Sequence, residues 1–312
     1  MTIKELTERQ GWPLSQKIDH ALGTIEAFIA RYGVNGCYVA FSGGKDSTVL
    51  LHLVRLLTKE IPAVFTNTGN EYPEVIEFVK KHQEEWNITI IRPHLTPRQV
   101  WAKYGFPLVG KETADKIHKV RYNPTTVTAK EIMGSGYFSL SKRWRFLLYE
   151  QYETSNACCD ILKKRPFHIY EKETGRRPIT GVMAEESKLR AGQYVRAGGC
   201  NVFGNKPVSR PLSIWTNDDI LEFISRYNIE IADIYYKGAA RTGCMGCGFG
   251  AHFPDDTRFS LLYQEHPKCF DMIMNYKNNG TTFREAIRKV LSVNGRYLPD
   301  EEPPNLFNTN IN

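Results

Sequence analysis

Phe41-Ser42-Gly43-Gly44-Lys45-Asp46-Ser47 decides the fold of this chain, through what stands on either side of it. The apolar run Cys37-Tyr38-Val39-Ala40 precedes it, and the apolar-periodic segment from Thr48 to Leu57 follows. The pattern predicts a buried strand ending at Phe41, a turn through two glycines, and a helix opening near Ser47. Such a turn gathers backbone N–H groups and a helix N-terminus at one point, which is an anion site. Lys45 adds a positive charge there, and Ser42 and Ser47 add hydroxyl donors. Because the two glycines are adjacent, the loop is not of the G-x-x-x-x-G-K-[ST] kind.

Upstream, Leu14 to Tyr32 carries a helical stripe at Ile18, Ala21, Leu22, Ile25, Phe28 and Ile29. Downstream, Ile61 to Thr66 reads as a second strand that ends in Asn67-Thr68-Gly69, followed by a helix from Pro73 to Glu85 and a strand over Ile88 to Ile91. Strands alternating with helices predict an α/β fold with a doubly wound parallel sheet and helices on both faces. Ligands of such sheets sit beyond the carboxyl ends of the strands, where Ser42 and Asn67 fall. From about residue 105 to 156 the pattern loosens into an inserted basic segment, with a helix expected over Ser141 to Tyr152. Regularity returns in a strand over Arg177 to Met183 and a helix capped by Thr216 that runs to about Tyr227. Residues 1–250 are thus expected to form the nucleotide-binding domain. Residues 251–312 are expected to form a helical extension, with helices near 258–265, 267–276 and 282–293 and a disordered end.

Composition narrows the function. With 41 Lys and Arg against 34 Asp and Glu, the 312-residue chain carries a net charge of +7, which suits an anionic substrate or partner. No apolar run is long enough to span a bilayer and no leader is visible at Met1, so the expectation is a cytoplasmic protein with no membrane partner. Seven cysteines include two close pairs, Cys158-Cys159 and Cys244-Met245-Gly246-Cys247, with 84 residues between them. In a cytoplasmic chain this spacing points to metal or redox chemistry, and four thiolates satisfy either a zinc ion or an iron–sulfur cluster. Of the others, Cys37 lies in the first strand, Cys200 in the Gly198-Gly199-Cys200-Asn201 loop as a candidate sulfur carrier, and Cys269 inside an apparent helix.

The loop at 42–47 resembles the S-G-G-x-D-S pyrophosphate loop of the ATP pyrophosphatases and their adenylyl-sulfate reductase relatives. The chain therefore resembles the phosphoadenosine phosphosulfate (PAPS/APS) reductase-like family of pyrophosphate-loop enzymes. Cys158-Cys159 with Lys163 and Pro166, followed by the distant C-x-x-C-G, resembles the double-cysteine pattern that carries a four-iron four-sulfur (4Fe-4S) cluster. Gly181 to Arg190 resembles the family's G-x-R-x-x-[EQ]-S-x-x-R segment with Met183 in place of Arg, and Asn67-Thr68-Gly69 resembles its D-T-G. Pro211-Leu212, Trp215 and Asp219 resemble its P-L-x-x-W-x-x-x-D.

The resemblance implies a nucleotide, ATP or adenylyl sulfate, on Ser42, Gly43, Gly44, Lys45, Asp46, Ser47, Thr68, Gly69, Gly181, Glu186, Ser187 and Arg190. It further implies Mg²⁺ near Asp46 and a cluster on Cys158, Cys159, Cys244 and Cys247, with Lys45, Asp46 and Cys200 as catalytic candidates. The favoured expectation is an ATP-dependent iron–sulfur sulfurtransferase that adenylylates an acceptor for sulfur insertion. Its likeness to the ATP pyrophosphatases of DNA phosphorothioation systems makes DNA the expected acceptor, with sulfur from a donor such as a cysteine desulfurase and an oligomer as a further expectation. Lys142-Arg143-Trp144-Arg145, Lys163-Lys164-Arg165 and Arg176-Arg177, with Tyr137, Phe138 and Tyr149 among them, suit a nucleic-acid partner. Three readings compete: an adenylyl-sulfate or phosphoadenylyl-sulfate reductase, a tRNA thiolation enzyme, and a non-catalytic nucleotide-binding cluster adaptor. The reductases attack with a cysteine on a C-terminal tail, and no cysteine follows Cys269 here.

Overall fold

The computed structural model describes residues 1–301. Its strands are β1 (Cys37–Phe41), β2 (Ala63–Thr66), β3 (Ile88–Ile91), β4 (Leu108–Val109), β5 (Arg177–Thr180), β6 (Asn201–Val202), β7 (Val208–Ser209), β8 (Gly248–Phe249), β9 (Lys277–Asn278) and β10 (Thr281–Thr282). Six of them form the central sheet in the order β3-β2-β1-β5-β7-β6. The neighbours from β3 to β7 run parallel, and β6 closes the edge antiparallel to β7. β1 and β2 are apolar along nearly their whole length and buried, as strands inside a parallel sheet must be. Strand order reverses between β1 and β5, so the crevice where ligands of open α/β sheets bind lies beyond these strand ends.

The Lys45–Leu57 helix follows β1 directly and buries Val49, Leu50, Leu53 and Val54. The Pro73–Lys81 helix starts with proline at its first position, where a missing N–H costs nothing. The helix expected to reach Glu85 ends at Lys81. The segment expected to be a helix over Ser141–Tyr152 is instead a 3₁₀ run over Lys142–Leu148. Its buried residues, Trp144 and Leu147, are three apart, the repeat of a 3₁₀ turn rather than of an α-helix. Before it stand two short helices, Lys111–Tyr122 and Val127–Met133, and a bridge between Phe106 and Thr154 ties the ends of the segment together.

The C-terminal helices, Arg258–Glu265, Pro267–Met274 and Phe283–Ser292, share the core of the rest of the chain. Phe283 packs on Trp101 and Phe106 at ring distances of 4.8 and 5.4 Å. The disordered end expected from the sequence falls largely outside the described residues. Among the described residues no helix is long and apolar enough to cross a membrane.

Candidate nucleotide and cysteine site

The glycine turn after β1 is held by its own side chains and by a distant loop. Gly43 stands at φ +70°, and a Cβ there would lie 2.7 Å from Val75 Cγ1, so both the conformation and the space require glycine. The Ser42 N–H donates to Ser47 Oγ at 3.2 Å, the Gly44 N–H to Ser42 Oγ at 3.3 Å, and Ser47 Oγ donates to the Gly44 carbonyl at 2.8 Å. The Lys45 N–H donates to the Tyr235 hydroxyl oxygen at 2.9 Å, and that hydroxyl bonds Thr242 Oγ1 at 2.9 Å. Lys45 Nζ, largely buried, pairs with Asp46 at 3.0 Å. Three of the donors gathered here are engaged internally, and the N-terminus of the Lys45–Leu57 helix has no side-chain cap.

The loops after β2 and β5 carry the other expected residues, of which none after β5 lines the cleft at the turn. Thr68 donates its N–H and its hydroxyl to the Glu71 carboxylate at 2.9 and 2.6 Å, and Gly69 follows at φ +76°. Gly181 lies past β5 against the backbone of Asp46 and Ser47. Ser187 caps the Lys188–Ala197 helix, and Glu186 pairs with Arg190 and, at 3.0 Å, with Arg241. Met183, where the family pattern has Arg, is buried.

A small cleft of about 60 Å³ opens at the turn. Its walls include Ser42, Thr66, Glu71, Lys163 and Thr242, with Phe41, Phe65 and Phe167 as an apolar side. Thr66 Oγ1 is buried there without a hydrogen-bond partner. Lys163 belongs also to a second cavity, whose other walls include Cys158, Cys159, Cys244, Cys247 and Trp101. One ammonium therefore forms part of both walls. The Cys244 sulfur raises the Lys163 pKa against the effect of burial, with Glu71 adding to the rise.

Local structure explains how distant cysteines meet. Cys158 and Cys159 stand where a helix opens, and Cys159–Lys164 is wound as a π-helix. A wider turn rotates successive side chains less than an α-helix does, so adjacent residues diverge less. The C-x-x-C loop is fixed by Asn70, whose carbonyl accepts from Met245 N–H at 2.8 Å and whose Oδ1 accepts from Gly246 N–H at 3.3 Å. A Cβ at position 246 would lie 2.7 Å from the Trp101 ring, so the loop can press on that ring only as glycine.

Burial pushes the Cys247 thiol up to about 11 and raises Cys244. Cys159 is lowered by the hydrogen bond from Cys158, with Lys111, Lys163 and Lys164 adding to the effect against burial. Among the described residues no three His, Cys, Asp or Glu side chains converge closely enough to hold a metal ion. The four cysteines line one cavity, and a set of thiolates of this kind suits either a zinc ion or an iron–sulfur cluster.

Cys200 falls outside both cavities. It is 6 % exposed, and burial pushes its thiol up to about 11, a state with little thiolate at neutral pH. The flexible sulfur-carrying loop expected at this position is thus corrected to a packed residue at the start of β6. Cys37 is buried likewise, and Cys269 sits half-buried in the Pro267–Met274 helix. The motifs did not point to Glu71, Asn70, Tyr235 or Thr242, and Lys163 entered only as part of a pattern. Thr242 and Asn70 stood next to readable motifs, whereas nothing in the sequence marked Tyr235.

The chain is similar to known proteins over most of its length. The model of the phosphoadenosine phosphosulfate reductase domain matches residues 36–129 and 134–248. A probable FAD synthase of Caenorhabditis briggsae is 30% identical over 95 residues, 28% of this chain and 18% of that protein, so the chain spans less than a fifth of it. An adenosine 5'-phosphosulfate reductase of Geobacillus thermodenitrificans is 22% identical over 262 residues, covering 81% of this chain and 90% of the reductase. Phosphoadenylyl-sulfate reductase from Candida auris, solved with phosphate, superposes with a TM-score of 0.42 at 15% identity, covering 73% of this chain and 93% of that one. With the family model matched over more than half its length, the chain belongs to the phosphoadenosine phosphosulfate reductase domain family.

Proposed function

We propose that this protein is an ATP-dependent sulfurtransferase that activates an acceptor by adenylylation. The observation that carries the reading is the shared wall: Lys163 lines both the cleft at the glycine turn and the cavity of the four cysteines. ATP would place its β- and γ-phosphates on residues 42–47, with Lys45 supplying charge and Asp46 a carboxylate for Mg²⁺. An acceptor oxygen attacks the α-phosphorus, the bond to the β-phosphate breaks, and pyrophosphate leaves. A sulfide-level nucleophile then attacks the acceptor and AMP departs with the oxygen. Positioning and charge do most of this work, so backbone donors and lysines matter more than a general base. DNA is the acceptor we favour. Cys158, Cys159, Cys244 and Cys247 would hold a 4Fe-4S cluster, which supplies sulfur-binding or electron-transfer chemistry when bound.

Reduction of adenylyl sulfate is the second reading, favoured by the reductase relative that aligns over nearly its full length. It requires a thiol facing the nucleotide, and no cysteine lines the cleft at the turn. One experiment separates the two. The chain is purified without oxygen, assayed for iron and acid-labile sulfide, and incubated with ATP and DNA or with adenylyl sulfate plus a thiol. We expect about four irons and four sulfides per chain, pyrophosphate from ATP, and markedly less iron in Cys244→Ser. Sulfite from adenylyl sulfate without pyrophosphate from ATP selects the reductase, and undiminished iron in Cys244→Ser removes Cys244 from the ligand set.

A further inference from the structure

The 105–156 segment presents two aromatic rings to water on a braced loop. Arg145 gathers three carbonyls, Leu140 at 3.2 Å from Nε, and Met133 and Gly134 at 2.8 and 3.0 Å from Nη2. The Leu140 N–H donates to the Ile132 carbonyl at 2.7 Å, and Lys116 Nζ reaches the Ser139 carbonyl at 3.4 Å. These bonds close the base of a loop over residues 134–139. At its tip Tyr137 is 94% exposed and Phe138 70%, their rings edge to face at 5.6 Å. A fold that spends an arginine and a lysine on holding the base of this loop, yet buries neither ring, keeps the rings for a partner.

The charges around the tip say what kind. Lys130, Lys142 and Arg143 are exposed and join no ion pair among the described residues, while Lys116, Lys119 and Arg121 of the neighbouring helix are paired with Glu112, Asp115 and Glu153. Of the remaining basic candidates, Lys164 and Arg177 join no ion pair among the described residues, and the others are engaged. Trp144 is buried, Arg145 is the clamp, Lys163 lies in the cleft, Arg165 pairs with Asp160, and Arg176 donates to the Val34 and Cys37 carbonyls. What stays available is unpaired positive charge beside flat apolar faces. That combination matches a chain of anions bearing unstacked bases, since bases in a duplex already cover one another's faces. The segment is rooted at the cysteine cavity, which Pro107 and Cys158 both line.

We propose that the loop over residues 134–143 is a docking surface for single-stranded DNA. Bases stack on Tyr137 and Phe138, and phosphates meet Lys130, Lys142 and Arg143. The inference rests on the reading of DNA as acceptor, and it has its own test. A fluorescent single-stranded DNA oligonucleotide is titrated with the full chain, and binding is followed by anisotropy at several salt concentrations. Tyr137→Ala with Phe138→Ala weakens binding by about tenfold or more, with the melting temperature unchanged because both rings are exposed. Lys142→Gln with Arg143→Gln flattens the log–log salt dependence by about 1.4. ATP binding without DNA, followed by calorimetry, is the same in the ring variant as in the parent. Parent-like binding by the ring variant overturns the proposal, as does a parent that prefers duplex DNA, RNA or anionic vesicles. A ring variant that loses DNA while the parent, given ATP and DNA together, releases no pyrophosphate supports the docking surface and sinks the sulfurtransferase reading alone.

Discussion

Gly43 is where conformation and contact coincide, because φ is +70° and the nearest atom to an added Cβ is Val75 Cγ1 at 2.7 Å. An alanine there meets left-handed strain and a clash with the Pro73–Lys81 helix, so we expect Gly43→Ala to cost about 1 to 3 kcal/mol in urea unfolding and to weaken ATP binding. A variant as stable as the parent would show that the turn relaxes away from Val75. Such residues were legible in the sequence because the motif packs them into seven consecutive positions. The cysteines were legible as two local pairs, though not as one cavity. Tyr235 was not legible, since its partner Lys45 is brought near only by folding, and Glu71, though it bonds Thr68 three residues away, stands in none of the motifs. Cys200 was misjudged because two preceding glycines suggest an open loop, while its side chain is buried.

Among the elements, the Asp233–Tyr235 turn and the loop at Thr242 lie against the start of the Lys45–Leu57 helix. Tyr235 takes the Lys45 N–H, which an incoming phosphate would otherwise use, so ligand and tyrosine compete for one donor. Tyr235→Phe leaves that N–H unpaired in the free protein, which we expect to lower stability by about 1 kcal/mol. It also removes the competitor, so pyrophosphate binding tightens severalfold in calorimetry. Weaker binding in the variant would mean that the hydroxyl helps hold the anion. At this scale the sequence served best where apolar runs are long. β1, β2 and the Leu14–Tyr32 helix follow directly from such runs. The 105–156 segment did not, because its Lys111–Tyr122 helix buries only Ala114 and Ile117 and depends on its neighbours. β6 and β7, two residues each, are too short to carry a pattern.

Across the whole molecule, one buried carboxylate joins the nucleotide end of the sheet to the C-terminal helices. Glu74, in the first turn of the Pro73–Lys81 helix, accepts from Lys237 Nζ at 2.7 Å and bonds His266 Nε2 at 3.0 Å through both oxygens. Lys237 belongs to the chain that runs on to Thr242 and the C-x-x-C loop, and also pairs with Glu265 at 3.3 Å. His266 stands between the Arg258–Glu265 and Pro267–Met274 helices, with Tyr72 beside its ring. Burial alone would raise the Glu74 pKa, but the bonds from Lys237, its own backbone and His266 outweigh it and leave the group below its ordinary 4.5. A carboxylate depressed by folding adds stability above its unfolded pKa and loses it as the pH falls through the folded value. The bonds of Glu74 therefore contribute fully at neutral pH and fade below about pH 4.5. Glu74→Gln keeps the shape and removes the charge, so its urea midpoint should lie below that of the parent at pH 7, and the two should draw together as acid is added. Hydrogen exchange in the 258–274 helices should quicken in the variant at pH 7, because these helices lose their tie to the sheet. Parallel midpoint curves from neutral to acid pH would show that Glu74 does not couple the two ends.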